Sequence, residues 1–134
     1  MEKASQNNIN IMLVDDEMYM RVVIRAYFAP YNVIITEARN GEEAIELMKE
    51  NEYDLIILDN HMPGMSGQQV LNLMLEDVRL SKIPVIMYTA GKYEKEVESR
   101  LKKMSSAYLE KSSLGEELIP TTCEILGDRL RLQI

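Results

Sequence analysis

The chain has 134 residues, 46% of them apolar and 28% charged, a balance that suits one globular domain and excludes a disordered or low-complexity segment. Its formal net charge of −7 is the wrong sign for non-specific nucleic-acid binding, which needs a basic face to displace counterions. No apolar run approaches the ~20 residues of a membrane helix, and the N-terminus MEKASQNNIN lacks the apolar h-region of a signal peptide.

Residues 1–8 read as a polar lead-in to a single unit spanning 9–131, with a short tail at 132–134. The first apolar run, INIMLV (9–14), stops at Asp15-Asp16-Glu17, and a largely apolar helix is expected over 18–28. A second run covers 33–36, followed by a helix at 42–51 with Ala44, Ile45 and Met48 on one side. The third run, 55–58, stops at Asp59 and opens into the turn-like sequence NHMPGMSG. A helix over 66–78 then carries Val70, Leu71, Met74 and Leu75. The fourth run, 85–88, stops at Thr89.

Next, 92–103 has a narrow apolar stripe of Tyr93, Val97 and Leu101, continued by Met104, in an otherwise charged helix that should be weakly anchored and mostly solvated. The fifth run, 107–109, stops short of Lys111. A last helix is expected from about 113 toward 131, with Leu118, Ile125 and Leu126 inward and Pro120 kinking or delaying it. Met12, Met48, Met74 and Met87 fall inside apolar runs and read as gap-fillers of the core. The single cysteine, Cys123, excludes an internal disulfide and fits a reducing cytoplasm; as a small residue in an apolar pattern it is expected in the core.

Short, nearly continuous apolar runs are what strands covered on both faces require. Five of them alternate with helices, so the fold class is α/β, a doubly wound (βα)₅ sandwich around a parallel sheet. In such a sheet the carboxyl ends of the strands meet at one edge, where ligands bind. Asp15, Asp16, Asp59, Thr89 and Lys111 would therefore converge. Each has a plain alternative: acids beside a helix dipole, a β-branched strand residue, a surface lysine. Together, three acids beside one lysine and one hydroxyl suit a divalent cation and a phosphoryl group. Mg²⁺ is the natural ion, because it takes oxygen ligands and keeps waters that a phosphate oxygen can replace.

These residues resemble the receiver domain of two-component response regulators, of the stand-alone chemotaxis type. The likeness runs from about residue 9 to 126 and rests on LVDDE, LDNHMPGMSG, Thr89-Ala90 and Tyr108-Leu109-Glu110-Lys111, each at the end of its expected strand. It implies a flavodoxin-like sheet of order 2-1-3-4-5. It also implies that Asp59 is the phosphoacceptor, taking its phosphoryl group from a sensor histidine kinase or a phosphotransfer protein. Asp16, Asp59 and the backbone carbonyl of His61 would bind Mg²⁺, with Asp15 helping through a water, while Thr89 and Lys111 would contact the phosphoryl oxygens. Thr89 and Tyr108 would form a switch. His61 and Gly91, at the pocket mouth, would tune hydrolysis. His61 has no partnering His or Cys for a transition-metal site.

Two departures from the family stand out. Its usual proline after the lysine, in a cis peptide, is replaced by Ser112; a non-proline cis bond costs about 3–4 kcal/mol, which implies a trans bond and a differently aimed Lys111. Pro120 in the last helix is the second. The chain reads as a signalling phosphoacceptor, not an enzyme, acting alone by docking an unidentified protein through 92–103, 106–110 and 113–131, with neither nucleic acid nor membrane as partner; a receiver excised from a longer protein stays open. The helix at 92–103 carries five basic and three acidic residues, which favours an acidic partner. The competing reading is an interaction-only receiver whose pocket no longer accepts phosphate. An aspartate-nucleophile phosphatase would need a D-x-D pattern after the first strand, which Asp15-Asp16-Glu17 does not supply.

Overall fold

The computed structural model describes residues 8–90 and 95–133. Five strands, β1 (Ile9–Val14), β2 (Val33–Ala38), β3 (Leu55–Asp59), β4 (Val85–Thr89) and β5 (Ala107–Glu110), form one sheet in the order β2-β1-β3-β4-β5. Every neighbouring pair is parallel. Five α-helices alternate with them: α1 (Met18–Phe28), α2 (Gly41–Glu50), α3 (Gly67–Leu75), α4 (Lys95–Met104) and α5 (Leu114–Leu126). This is the flavodoxin-like (βα)₅ arrangement that the alternation and the resemblance imply.

Strand alternation divides the core in two. On one face Ile11, Leu13, Ile57, Ile86, Tyr88 and Leu109 pack with Ile24 and Phe28 of α1 and Leu114 and Leu118 of α5. On the other, Met12, Val14, Ile56, Leu58 and Met87 pack with Met48 of α2, Val70 and Met74 of α3, and Leu101 of α4. Each fully buried Leu or Ile contributes about 1.5–3 kcal/mol. Met12, Met48, Met74 and Met87 are all buried, as gap-fillers should be.

Local signals set the helix starts. The Asn40 side chain accepts the Glu43 amide at 2.8 Å to cap α2, and Ser66 with Gln69 forms a reciprocal capping box on α3. Glu17 stands at the N-cap of α1 but its side chain makes no cap bond; it is used elsewhere. Helix α5 starts at Leu114 and continues through Pro120, so the proline does not delay it; its ring lies on an exposed position. The chain then turns through Gly127–Arg129 and pairs antiparallel at Leu132 with Tyr31, so the expected tail is tied down before β2.

Two core assignments need correction. Cys123 is exposed: on α5 it falls on the opposite side from Leu114, Leu118 and Thr122, which are buried one turn apart. Leu75, the last residue of α3, is 46% exposed because Met74 takes the inward position. Ile125, half-buried, packs against the α1/α5 core, and Leu126 is buried in it, both inward as expected. Within α4, Leu101 is the buried residue and Val97 and Met104 are half-buried, the narrow stripe expected; Tyr93 and the expected helix start at 92–94 lie outside the described residues. Among the described residues no helix is long and apolar enough to cross a membrane.

Candidate functional site

The period of two along each strand sets which side chains meet at the carboxyl edge. Asp15 continues the parity of Leu13, Asp59 that of Ile57, and Lys111 that of Leu109, all on the α1/α5 face. Tyr88 shares that face and stands in register with Asp59. Thr89 has the opposite parity, that of Met87, which is in register with Tyr108. Thus the acids, the lysine and Tyr88 line one side of the strand ends, and Thr89 and Tyr108 line the other.

Strands β3 and β4 each run one residue further than their apolar runs, so Asp59 and Thr89 are themselves ladder residues. Both are buried, at 1% exposure, and Asp15 is fully buried, whereas Asp16 and His61 face solvent. One carboxylate oxygen from each of Asp15, Asp16 and Asp59 lies within 4.8 Å of the others. An oxygen-only trio with one exposed member fits a hard divalent ion such as Mg²⁺ that retains part of its water shell.

The β3–α3 turn holds Asp59 in place. Asn60 accepts the Gly67 amide on its carbonyl at 3.1 Å and the Gln68 amide on its side chain at 2.8 Å. A Cβ on Gly67 would stand 2.5 Å from the Asp59 carbonyl oxygen and 2.7 Å from Asn60 Cα, so only glycine lets α3 start this close behind the acid. The His61 amide donates to Asp59 Oδ1 at 3.1 Å.

Asp15 is held more tightly. Its Oδ1 accepts the Glu17 amide at 2.8 Å, its Oδ2 accepts the Tyr88 hydroxyl, and its carbonyl accepts Arg21 Nη1 at 2.8 Å. Arg21 and Arg25 both pair with Glu37, tying α1 to β2. On the far side of the pocket, Lys111 Nζ bonds Glu17 Oε1 at 3.1 Å and sits 6.0 Å from the Tyr88 ring centroid.

The electrostatics follow from burial of like charges. Burial raises the Asp59 carboxyl to about 7, opposed by the His61 amide bond and reinforced by the Asp15 charge. Burial also raises Asp15, against the bonds from Tyr88 and the Glu17 amide. Burial alone would lower Lys111; the Glu17 bond and the charges of Asp59 and Asp15 outweigh it and hold the ammonium above its usual range. Excess negative charge with one cation at its rim is a site that gains by taking up a divalent ion.

The structure thus gathers Asp15, Asp16, Asp59 and Lys111, with Thr89 and Tyr108 adjoining. Gly91 lies outside the described residues. The Lys111–Ser112 bond is trans, no cis peptide being present among the described residues, and 111–113 form a short 3-10 turn from which the lysine still reaches the acids' side of the sheet. Sequence reasoning missed Tyr88, Glu17 and Arg21. The parity of Tyr88 with Asp59, at the penultimate position of a buried strand, was the available signal for the first; Glu17 stands in the LVDDE motif, though its pairing with Lys111 is not legible there, and nothing in the sequence marks Arg21.

Fold and site together define a receiver, and comparison with known proteins agrees. The chain belongs to the response regulator receiver domain family, whose model matches residues 11–122. This is a family of two-component signalling domains rather than of conventional enzymes. The chain is 32% identical over 118 residues to the nitrate/nitrite response regulator protein NarL of Escherichia coli strain K12, covering 87% of this chain and 54% of NarL. It is 43% identical over 84 residues to the transcriptional regulatory protein ResD of Bacillus subtilis, covering 63% of this chain and 34% of ResD. The chain therefore spans about half the length, or less, of these curated relatives.

Among solved structures, the response regulator protein TrrA from Thermotoga maritima, in complex with Mg²⁺-BeF, superposes with a TM-score of 0.76 at 30% identity over 88% of this chain and 99% of that one. Vibrio cholerae chemotaxis protein CheY4 superposes with a TM-score of 0.78 over 89% of this chain and 99% of that one, a likeness of fold at 23% identity.

Proposed function

We propose that this domain, over 9–131, is the phosphoacceptor of a two-component phosphorelay, with Asp59 as the residue modified. The observation that carries the reading is Asp59 itself: a buried carboxylate at a strand end, beside a second buried acid and facing the side of the sheet that Lys111 reaches. An Asp59 oxygen forms a bond to the phosphorus of a phosphohistidine on a sensor kinase or phosphotransfer protein. The P–N bond breaks and its electron pair leaves with the imidazole, giving an aspartyl phosphate. Such a transfer asks the protein for positioning and charge neutralisation.

Asp16, Asp59 and the His61 carbonyl would hold Mg²⁺, with Asp15 acting through a water; the ion, when bound, neutralises charge on the phosphoryl oxygens. Lys111 supplies the fixed positive charge opposite, and Thr89 a hydroxyl. His61 and Gly91 flank the approach of the hydrolytic water. Thr89 and Tyr108 share one sheet face, so a pull on the first opens space for the second. That supports a shift between two pre-existing states, read out by a partner protein docking on 92–103, 106–110 and 113–131. Donor, receiver and partner would meet in the cytoplasm.

Incubation with acetyl phosphate and Mg²⁺, followed by intact mass, tests the reading beside an Asp59→Asn control. A single phosphoryl adduct needing both Mg²⁺ and Asp59 is expected. Absence of the adduct in a protein that still binds Mg²⁺ would leave the interaction-only reading.

A further inference from the structure

Tyr88 is fully buried in the α1/α5 core, where a phenylalanine would pack as well. What phenylalanine lacks is the hydroxyl, and here the hydroxyl has a definite partner. It crosses from the end of β4 to donate to Asp15 Oδ2. The other Asp15 oxygen is held by the Glu17 amide, and the residue's carbonyl by Arg21. The Tyr88 ring meanwhile lies under the Lys111 ammonium, 6.0 Å from its centroid. One side chain therefore touches the first acid at its tip and underlies the lysine with its face. Its backbone accepts the Asn60 amide at 2.9 Å, just after the proposed phosphoacceptor.

We infer that Tyr88 is a positioning residue of the phosphoacceptor site: its hydroxyl locks the Asp15 carboxylate in one orientation, so that the lone pairs left over face the metal's water shell. The inference rests on the reading of Asp59 and its acidic neighbours as a Mg²⁺-assisted phosphoacceptor site. A carboxylate offers about four lone-pair sites. Glu17 and Tyr88 each take one, and the remainder can accept from metal-bound water without the side chain having to settle first. Outer groups that orient a metal's partners typically change affinity by about 10–100-fold when removed.

The effect should be read as Mg²⁺ affinity, by calorimetric titration of four proteins: wild type, Tyr88→Phe, Asp15→Asn, and the double variant. Tyr88→Phe should keep the fold and bind Mg²⁺ about tenfold more weakly. In the Asp15→Asn background the same change should move affinity by less than about twofold, because a group acting through Asp15 has nothing left to position. Tyr88→Phe with wild-type affinity, or an equal loss in both backgrounds, overturns the inference and leaves Tyr88 as core packing.

The wild-type titration separates this from failure of the underlying reading. A wild type that takes up no Mg²⁺ sinks both, whereas wild-type uptake unaffected by Tyr88→Phe sinks the positioning role alone. Should Tyr88→Phe fail to fold, NMR of the wild-type protein decides. A slowly exchanging Tyr88 hydroxyl proton that shifts on Mg²⁺ addition supports the role, and one indifferent to Mg²⁺ refutes it.

Discussion

On the β1–β3 side of the pocket every residue of β3 is buried, and Asp15 is bonded at both side-chain oxygens and at its carbonyl. At the β5–α4 edge the support thins: β4 is still buried throughout, but β5 buries Leu109 alone, and α4, over Lys95–Met104, buries Leu101 alone. The two sides share a sheet but differ in what moving them costs. Shifting β3 would disturb packing on both faces, whereas shifting α4 loosens one leucine and two half-buried neighbours. The buried acids thus sit where the structure is stiff, and the segment proposed to report on them is held by few buried side chains. Such a division suits a switch, because a fixed site can bias a loosely held element without being deformed by it.

The contrast breaks most completely at Asp59. Asp59→Asn should abolish the Mg²⁺-dependent mass gain from acetyl phosphate while leaving far-UV circular dichroism unchanged. Lys111→Met removes the fixed cation and should slow the same labelling about 10²–10³-fold, with Mg²⁺ affinity altered far less. Gly67→Ala attacks the stiff side through its backbone. The new Cβ collides with the Asp59 carbonyl, and urea unfolding should show a loss of roughly 3 kcal/mol.

On the yielding side, Leu101→Ala should cost nearer about 2 kcal/mol, the low end for a buried leucine, because α4 can relax around the gap. Its sharper signature is local: hydrogen exchange should accelerate across α4 and leave β3 protected. Equal acceleration in both would mean that the two sides unfold as one unit, with no stiff and yielding halves to distinguish.

The remaining effect is a pH dependence. With Asp59 raised to about 7 from an ordinary 3.8, the metal-free folded protein holds a proton that the unfolded chain has already released across that window. Stability should therefore fall as pH rises from about 4 through about 7. Asp59→Asn removes the penalty. It should be more stable than wild type near pH 8. The two proteins should converge below about pH 4, and Mg²⁺ should narrow the gap at pH 8. Thermal melts across that range check both points.

Much of this was legible in the chain. Five apolar runs with polar groups at their ends sufficed for the sheet and for Asp15, Asp16, Asp59, Thr89 and Lys111, since parallel strands bring their carboxyl ends to one edge whatever the loops do. Element boundaries were less secure because the runs stop where apolarity stops, while the ladder continues one or two residues into the polar groups, as at Ala38, Asp59 and Thr89. Cys123 went astray for a related reason. Among the mixed residues of α5, composition does not say which side the sheet will cover, and Leu114, Leu118 and Thr122 took the inward face.

By itself, then, the sequence determined the fold class, the strand ends and the groups carried there, because these depend on local periodicity and on a topology with few alternatives. Tertiary structure alone decided that Asp15 is sealed and Asp16 exposed, that Tyr88 reaches Asp15 across 73 residues, and that Glu17 meets Lys111 across 94. Those pairings depend on how far each side chain extends once neighbouring strands are in register, a distance that no local pattern encodes.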